Sequence, residues 1–297
     1  MVSCDRYDIT GERLQGYFPN VLTLALVLCL TAMAQQAQNP SPMVEHSRPH
    51  PRLKESPAPA GRRETLTVGK LFIPAKLAGR KTLPLVIHFH GGTWLPEQAV
   101  TREAVISVQT GSGSGTYAKQ FSDPALFNLI LNEANAKTGI KFAPVTLTCW
   151  SAGHGAIREI LNAQDNYTKV DKILLIDGLH TGYTNGKPGP LESDISPGNL
   201  EVFLKFAQDA VLGRKTLLIT HSEIFPGTFA STTETADWLL AKLGLKRKVL
   251  LRNGPMGTQQ LSEVRAGKFR LIGYAGNSAP DHVDQFHSLP AYLKWLR

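Results

Sequence analysis

From Glu64 onward, apolar runs of strand length alternate with amphipathic segments of helix length. That alternation leaves few architectures open. The strand-like runs cover residues 65–73, 83–90, 104–109, 145–150, 172–177, 215–220 and 269–275. Helical spacing covers 125–135, 153–163, 200–211, 233–243 and 285–297. Runs such as LPLVIHFH and KILLID are nearly continuous in apolar residues. A strand reads that way when both its faces are covered, as in a mainly parallel sheet with helices on both sides. The expected fold class is therefore α/β. Ligands meet such sheets at the carboxyl ends of the strands, so residues just past each run are the candidates for chemistry.

The segment before Glu64 has a different character. Residues 21–30 read VLTLALVLCL and are followed by Ala32-Met33-Ala34, a small-x-small pattern. This predicts a signal peptide over 1–34 and an exported protein, periplasmic or extracellular. Arg6 and Arg13 ahead of the run are offset by Asp5, Asp8 and Glu12, so an uncleaved N-terminal anchor is the alternative. The run itself is shorter than the ~20 residues of a comfortable span, and no stable membrane span is expected after cleavage. Residues 35–63 are rich in Pro, Ala, Gln and Ser without any period, which predicts a disordered linker ahead of a domain over 64–297.

Of three cysteines, Cys4 and Cys29 fall in the leader, leaving Cys149 without an internal disulfide partner. The net charge is +8, but Lys and Arg are scattered and no basic run alternates with aromatics. Nucleic acid is not an expected partner.

The strongest chemical signal is Cys149-Trp150-Ser151-Ala152-Gly153, between a strand and a helix. A serine on such a tight turn stands above the sheet at a helix N-terminus, where amides favour a developing anion. Ala152 and Gly153 give the turn room; Cys149 stands where a further glycine would be expected. An ordinary strand–turn–helix with a serine near the N-cap would also read this way. Upstream, His88-Phe89-His90-Gly91-Gly92-Thr93-Trp94 closes the second strand. Its glycines let backbone N–H groups approach a substrate oxygen. Gly92 and Thr93, with Ala152, are the candidate oxyanion-hole donors.

With these two motifs in this order, residues 64–297 resemble the α/β-hydrolase superfamily of serine esterases, lipases and dienelactone-hydrolase-like enzymes. The resemblance implies an eight-stranded sheet, a cofactor-free mechanism and a Ser–acid–His order along the chain. Ser151 is then the nucleophile. His282, expected in a loop after the last strand, is preferred as base over His287, expected inside the final helix. For the acid, Glu223 after the 215–220 strand is favoured over Asp177 at the end of the 172–177 strand. Trp94, His180 and Tyr183 are candidate substrate contacts. The polar stretch 180–198 occupies the place of a lid and predicts an open site.

Two further readings stand beside a carboxylesterase acting on a small or carbohydrate-linked ester. One is a non-catalytic binding protein of the same fold. The other is a metal-dependent hydrolase using His88, His90, Asp177 and His180. Alternate strand residues face opposite ways, so His88 and His90 share one site only if the strand has ended, and no metal is expected.

Overall fold

Side chains alternate across a strand, so a strand covered on both faces must be apolar at every position. The central strands follow that rule at most positions, with His88, Ser107, Thr148 and Thr220 among the buried polar exceptions. In β3 (Thr82–Phe89) Leu85, Ile87 and Phe89 face one core and Val86 the other. In β6 (Val170–Ile176) Ile173 and Leu175 oppose Leu174 and Ile176. The computed structural model describes residues 52–188 and 194–297, all within one compact unit, Pro40–Arg297. The expected signal peptide, and the linker up to residue 51, lie outside the described residues.

Among the described residues the sheet has ten strands in the order β1-β2-β4-β3-β5-β6-β7-β10-β9-β8. They are β1 (Gly61–Thr65), β2 (Lys70–Pro74), β3, β4 (Ala104–Val108), β5 (Lys141–Trp150), β6, β7 (Thr216–His221), β8 (Lys248–Asn253), β9 (Gln259–Ala266) and β10 (Phe269–Tyr274). The central strands β4-β3-β5-β6-β7-β10 are all parallel, and both flanks are antiparallel. The α/β class, with one large, mostly parallel sheet, is thus as expected; the count is ten strands rather than eight. The added strands are β8 and β9. Among the described residues no strand pairs with the outer edge of β8, and Val249 and Leu251 are 85% and 71% exposed.

The expected strand over 65–73 is two strands, β1 and β2. Gly69, at φ +89, turns the chain between them, and Leu66 N–H closes the turn on Gly69 O at 3.1 Å. β1 begins three residues ahead of the expected boundary at 64. Residues 52–60 are also not a free spacer: Arg52 Nε meets Asp284 Oδ1 at 2.8 Å and its Nη2 donates to Pro280 O at 2.9 Å.

Helices cover both faces. One core packs α2 (Ser114–Phe121), α3 (Ala125–Thr138), α4 (His154–Asn162), α5 (Gln164–Lys169), α6 (Glu201–Val211) and α7 (Thr232–Leu243). The other packs α1 (Trp94–Ala99), α8 (Ala279–His287) and α9 (Leu289–Trp295). Pro290 and Ser288 divide α8 from α9, where one final helix was expected. No helix of the described residues is long and apolar enough to cross a membrane.

Candidate active site

Because the six central strands run the same way, their carboxyl ends share one edge of the sheet. Residues past β3, β5, β6, β7 and β10 converge there. Ser151 follows β5 directly, at φ +49, a left-handed conformation costly for a side-chain-bearing residue. Two glycines make this turn fit. A Cβ on Gly153 would stand 2.4 Å from Phe89 O, and one on Gly178 would stand 2.7 Å from Ser151 O. The serine turn therefore rests on the backbone of β3 on one side and of the β6 loop on the other. His154 is buried, which pulls its pKa down to about 3, and its Nδ1–H donates to Ser151 O at 3.0 Å.

Cys149 needs no glycine-like freedom. It is still in β5, fully buried in the core beneath the turn, and burial pushes its thiol pKa far up. Thiolate is the reactive form, so Cys149 is expected to stay unmodified by iodoacetamide in the native protein. Peptide mapping after native and denatured alkylation checks this; native labelling at Cys149 contradicts the burial.

The carboxylate that meets His282 is Asp177, not the favoured Glu223. His282 Nδ1 lies 2.7 Å from Asp177 Oδ2. Asp177, at φ +42 and 2% exposed, also accepts Ser222 N–H at 2.8 Å, Ser222 Oγ–H at 2.7 Å and Thr232 Oγ1–H at 2.7 Å. Burial alone would raise its pKa. The hydrogen bond and charge of His282, with the two hydroxyl donors, outweigh it and hold the group well below the usual carboxylate range. Glu223 is exposed, and its backbone N–H binds Gly276 O at 2.9 Å. Ser222 and Thr232 went unforeseen in the sequence; Ser222 stands at the strand end where the acid was sought.

His282 is not in a loop but in the first turn of α8. Ser278 and Asp281 form a capping box at its start, and His282 N–H binds Ser278 O at 3.2 Å. Trp150, next to Ser151, ties the serine turn to this helix. Its Nε1–H donates to His282 O at 3.0 Å, and its ring lies 4.7 Å from the His282 ring. On its other neighbours it stacks against His90 and Phe286, at 5.2 and 5.0 Å. With Nδ1–H committed to Asp177, His282 keeps Nε2 as its basic atom.

After β3, His90, Gly91 and Gly92 all have positive φ. The paired N–H groups of this turn belong to Gly91 and Gly92 rather than to Gly92 and Thr93. Both donate to Gln109 Oε1, at 3.0 and 3.4 Å. Thr93 stands at the start of α1 and lines a second cleft of about 280 Å³ with Ser107, Gln109 and Thr110. His88 is not available to a metal: its Nδ1 accepts Thr148 Oγ1–H at 2.7 Å and its Nε2–H donates to His90 O at 2.8 Å. Among the described residues no group of three His, Cys, Asp or Glu is placed to hold an ion.

Ser151 opens on a cleft of about 380 Å³. Ala152, His154, Arg158, His180 and Phe229 line it, together with the small polar walls Ser112-Gly113-Ser114, Thr181-Gly182 and Asn199. His180 is therefore at the cleft, with Nδ1–H on Ala230 O at 3.1 Å and its ring edge-on to Phe229. Trp94 and Tyr183 are elsewhere. Trp94 packs beside His287 in the second core, and Tyr183 is buried with its hydroxyl on Glu234 at 3.0 Å. Around 180–198 the described residues are pinned together, by a Tyr183–Ile195 bridge and by Thr181 Oγ1–H on Ser196 O at 2.7 Å.

No protein-family model matches the chain, and no curated protein does. Among solved structures it is similar to carboxyl esterase 2 from the mycorrhizal fungus Tuber melanosporum, at TM-score 0.48 and 15% identity over 91% of this chain and 97% of that one. It is also similar to a Pyrobaculum calidifontis esterase, at TM-score 0.44 and 16% identity over 80% and 87%. An acetyl xylan esterase from Aspergillus awamori aligns at TM-score 0.42 and 14% identity over 78% and 99%.

Proposed function

We propose that this chain is an exported serine hydrolase that cleaves a small or carbohydrate-linked carboxylic ester through an acyl-enzyme on Ser151. The observation that carries the reading is the 2.7 Å contact between His282 Nδ1 and a buried, four-fold hydrogen-bonded Asp177. A histidine so held presents Nε2 as a base, and Trp150 ties its helix to the left-handed turn that carries Ser151. His282 Nε2 takes the Ser151 proton as Oγ attacks the ester carbonyl. The oxyanion is received by Ala152 N–H and by the Gly91 and Gly92 N–H groups, which exchange Gln109 Oε1 for it. The tetrahedral species collapses with return of the proton to the leaving alcohol. Water, activated by the same histidine, then releases the acid and restores Ser151. Small hydroxyl-bearing walls with one aromatic, Phe229, favour a short or hydroxylated ester over a long acyl chain.

A fluorophosphonate tests the reading. One label per chain, mapped to the peptide carrying Ser151, is expected. Absence of label would favour the non-catalytic binding protein. Hydrolysis lost to a chelator without any labelling would favour the metal-dependent reading.

A further inference from the structure

Besides His282, three donors grip Asp177, two from Ser222 after β7 and one from Thr232 at the start of α7. Ser222 is itself held by a further layer. Its carbonyl accepts Thr233 Oγ1–H at 2.8 Å and faces His221 Nδ1 at 3.2 Å. His221 Nδ1 is also 3.3 Å from Thr233 Oγ1. On the far side of the ring, His221 Nε2 lies 2.7 Å from Arg247 Nη1. A guanidinium can only donate, so Nε2 is the acceptor and the ring proton sits on Nδ1, toward Ser222 O. Arg247 is fixed in turn by Nε–H on Asp237 Oδ1 at 2.8 Å and Nη1–H on Ser262 Oγ at 3.2 Å. The ring is buried, and burial with the Arg247 charge keeps it neutral, its pKa drawn down to about 4. Even the neighbouring strand makes room: a Cβ on Gly273 would stand 2.8 Å from His221 Nε2.

We propose that Arg247 and His221 are positioning residues, with Arg247 fixing the neutral Nδ1–H form of His221, which holds Ser222 and through it the Asp177 carboxylate against His282. The proposal rests on the reading of Asp177 and His282 as the working pair. Neither residue touches substrate, and no proton moves along the chain; what is transmitted is orientation.

The test uses the full chain and three variants, Arg247→Met, His221→Leu and His221→Asn. Two quantities are read: steady-state hydrolysis of p-nitrophenyl acetate, and the proton resonance of His282 Nδ1–H, strongly deshielded by its short bond to a carboxylate. Arg247→Met and His221→Leu are expected to lower kcat by about tenfold with KM nearly unchanged, and to broaden or shift that resonance upfield. His221→Asn, whose carboxamide N–H replaces Nδ1–H, is expected to recover both. A folded Arg247→Met or His221→Leu protein with wild-type resonance and kcat overturns the proposal, as does a His221→Asn protein as impaired as His221→Leu. If Arg247→Met fails to fold, the two His221 variants decide. If the wild type shows the resonance but neither hydrolyses esters nor takes a fluorophosphonate, the functional reading fails, while the resonance still decides whether Arg247 and His221 set the Asp177–His282 contact.

Discussion

His282→Ala is expected to lose about 10⁵- to 10⁶-fold in kcat for ester cleavage, whereas His287→Ala stays within about threefold of wild type. The two histidines share helix α8 and differ in what they touch. His282 Nδ1 is bound to the buried Asp177 carboxylate, and its ring packs on the indole next to Ser151. His287 ends the helix, 8% exposed, against Trp94 and Phe286. Burial lowers its pKa, and its Nδ1 has no hydrogen-bond partner among the described residues. Its truncation removes packing, worth about 2 kcal/mol by analogy with other core deletions, and lowers Tm rather than turnover. Initial rates with a chromogenic ester, taken alongside thermal melts, separate the two. Comparable rate losses in both variants would remove the base from His282.

Asp177→Asn is expected to cost about 10⁴-fold in kcat, and Glu223→Gln less than twofold. A carboxamide at 177 is isosteric, so the fold survives, but it cannot accept from His282, Ser222 and Thr232 as a carboxylate does. Turning its NH₂ toward His282 forces the imidazole into the tautomer with the proton on Nε2, where it can no longer take one from Ser151. Glu223 has an exposed side chain one residue past Ser222, whose own groups already bind Asp177. Parallel kinetics on the two variants test the assignment. Retention of a tenth or more of the activity by Asp177→Asn, together with a large loss in Glu223→Gln, would return the acid to residue 223.

The central sheet was legible because its strands are apolar at most positions, and their order along the chain follows from that. The outer strands were not. β8 reads KVLLRN and β9 QQLSEVRA, with charged and polar residues interrupting the apolar ones, so neither shows a buried strand's pattern. The start of α8 was readable in principle, since Ser278-Ala279-Pro280-Asp281 is a capping sequence with proline in the first turn. The candidate nucleophile Ser151 and candidate base His282 were picked from motif and order. The carboxylate that bonds His282 was not, because both carboxylates sit at strand ends and the choice between them is made by Ser222 and Thr232, which are distant from residue 177 in sequence. Trp94 and Tyr183 follow the same logic: aromatic residues near a loop are as readily packing as recognition, and here both pack.

Among the described residues β8 is bonded on one side only, and that bears on how the molecule behaves in company. A strand bonded on one side offers a row of open N–H and C=O groups, and two nearly bare aliphatic side chains on it would welcome another copy. The exposed Lys246 and Lys248 border that row. Two protein molecules approaching along this margin therefore meet like charge before they meet backbone. That repulsion is screened within about 8 Å at physiological ionic strength, so concentrated salt removes the guard and leaves the greasy rim as the weak point in colloidal stability.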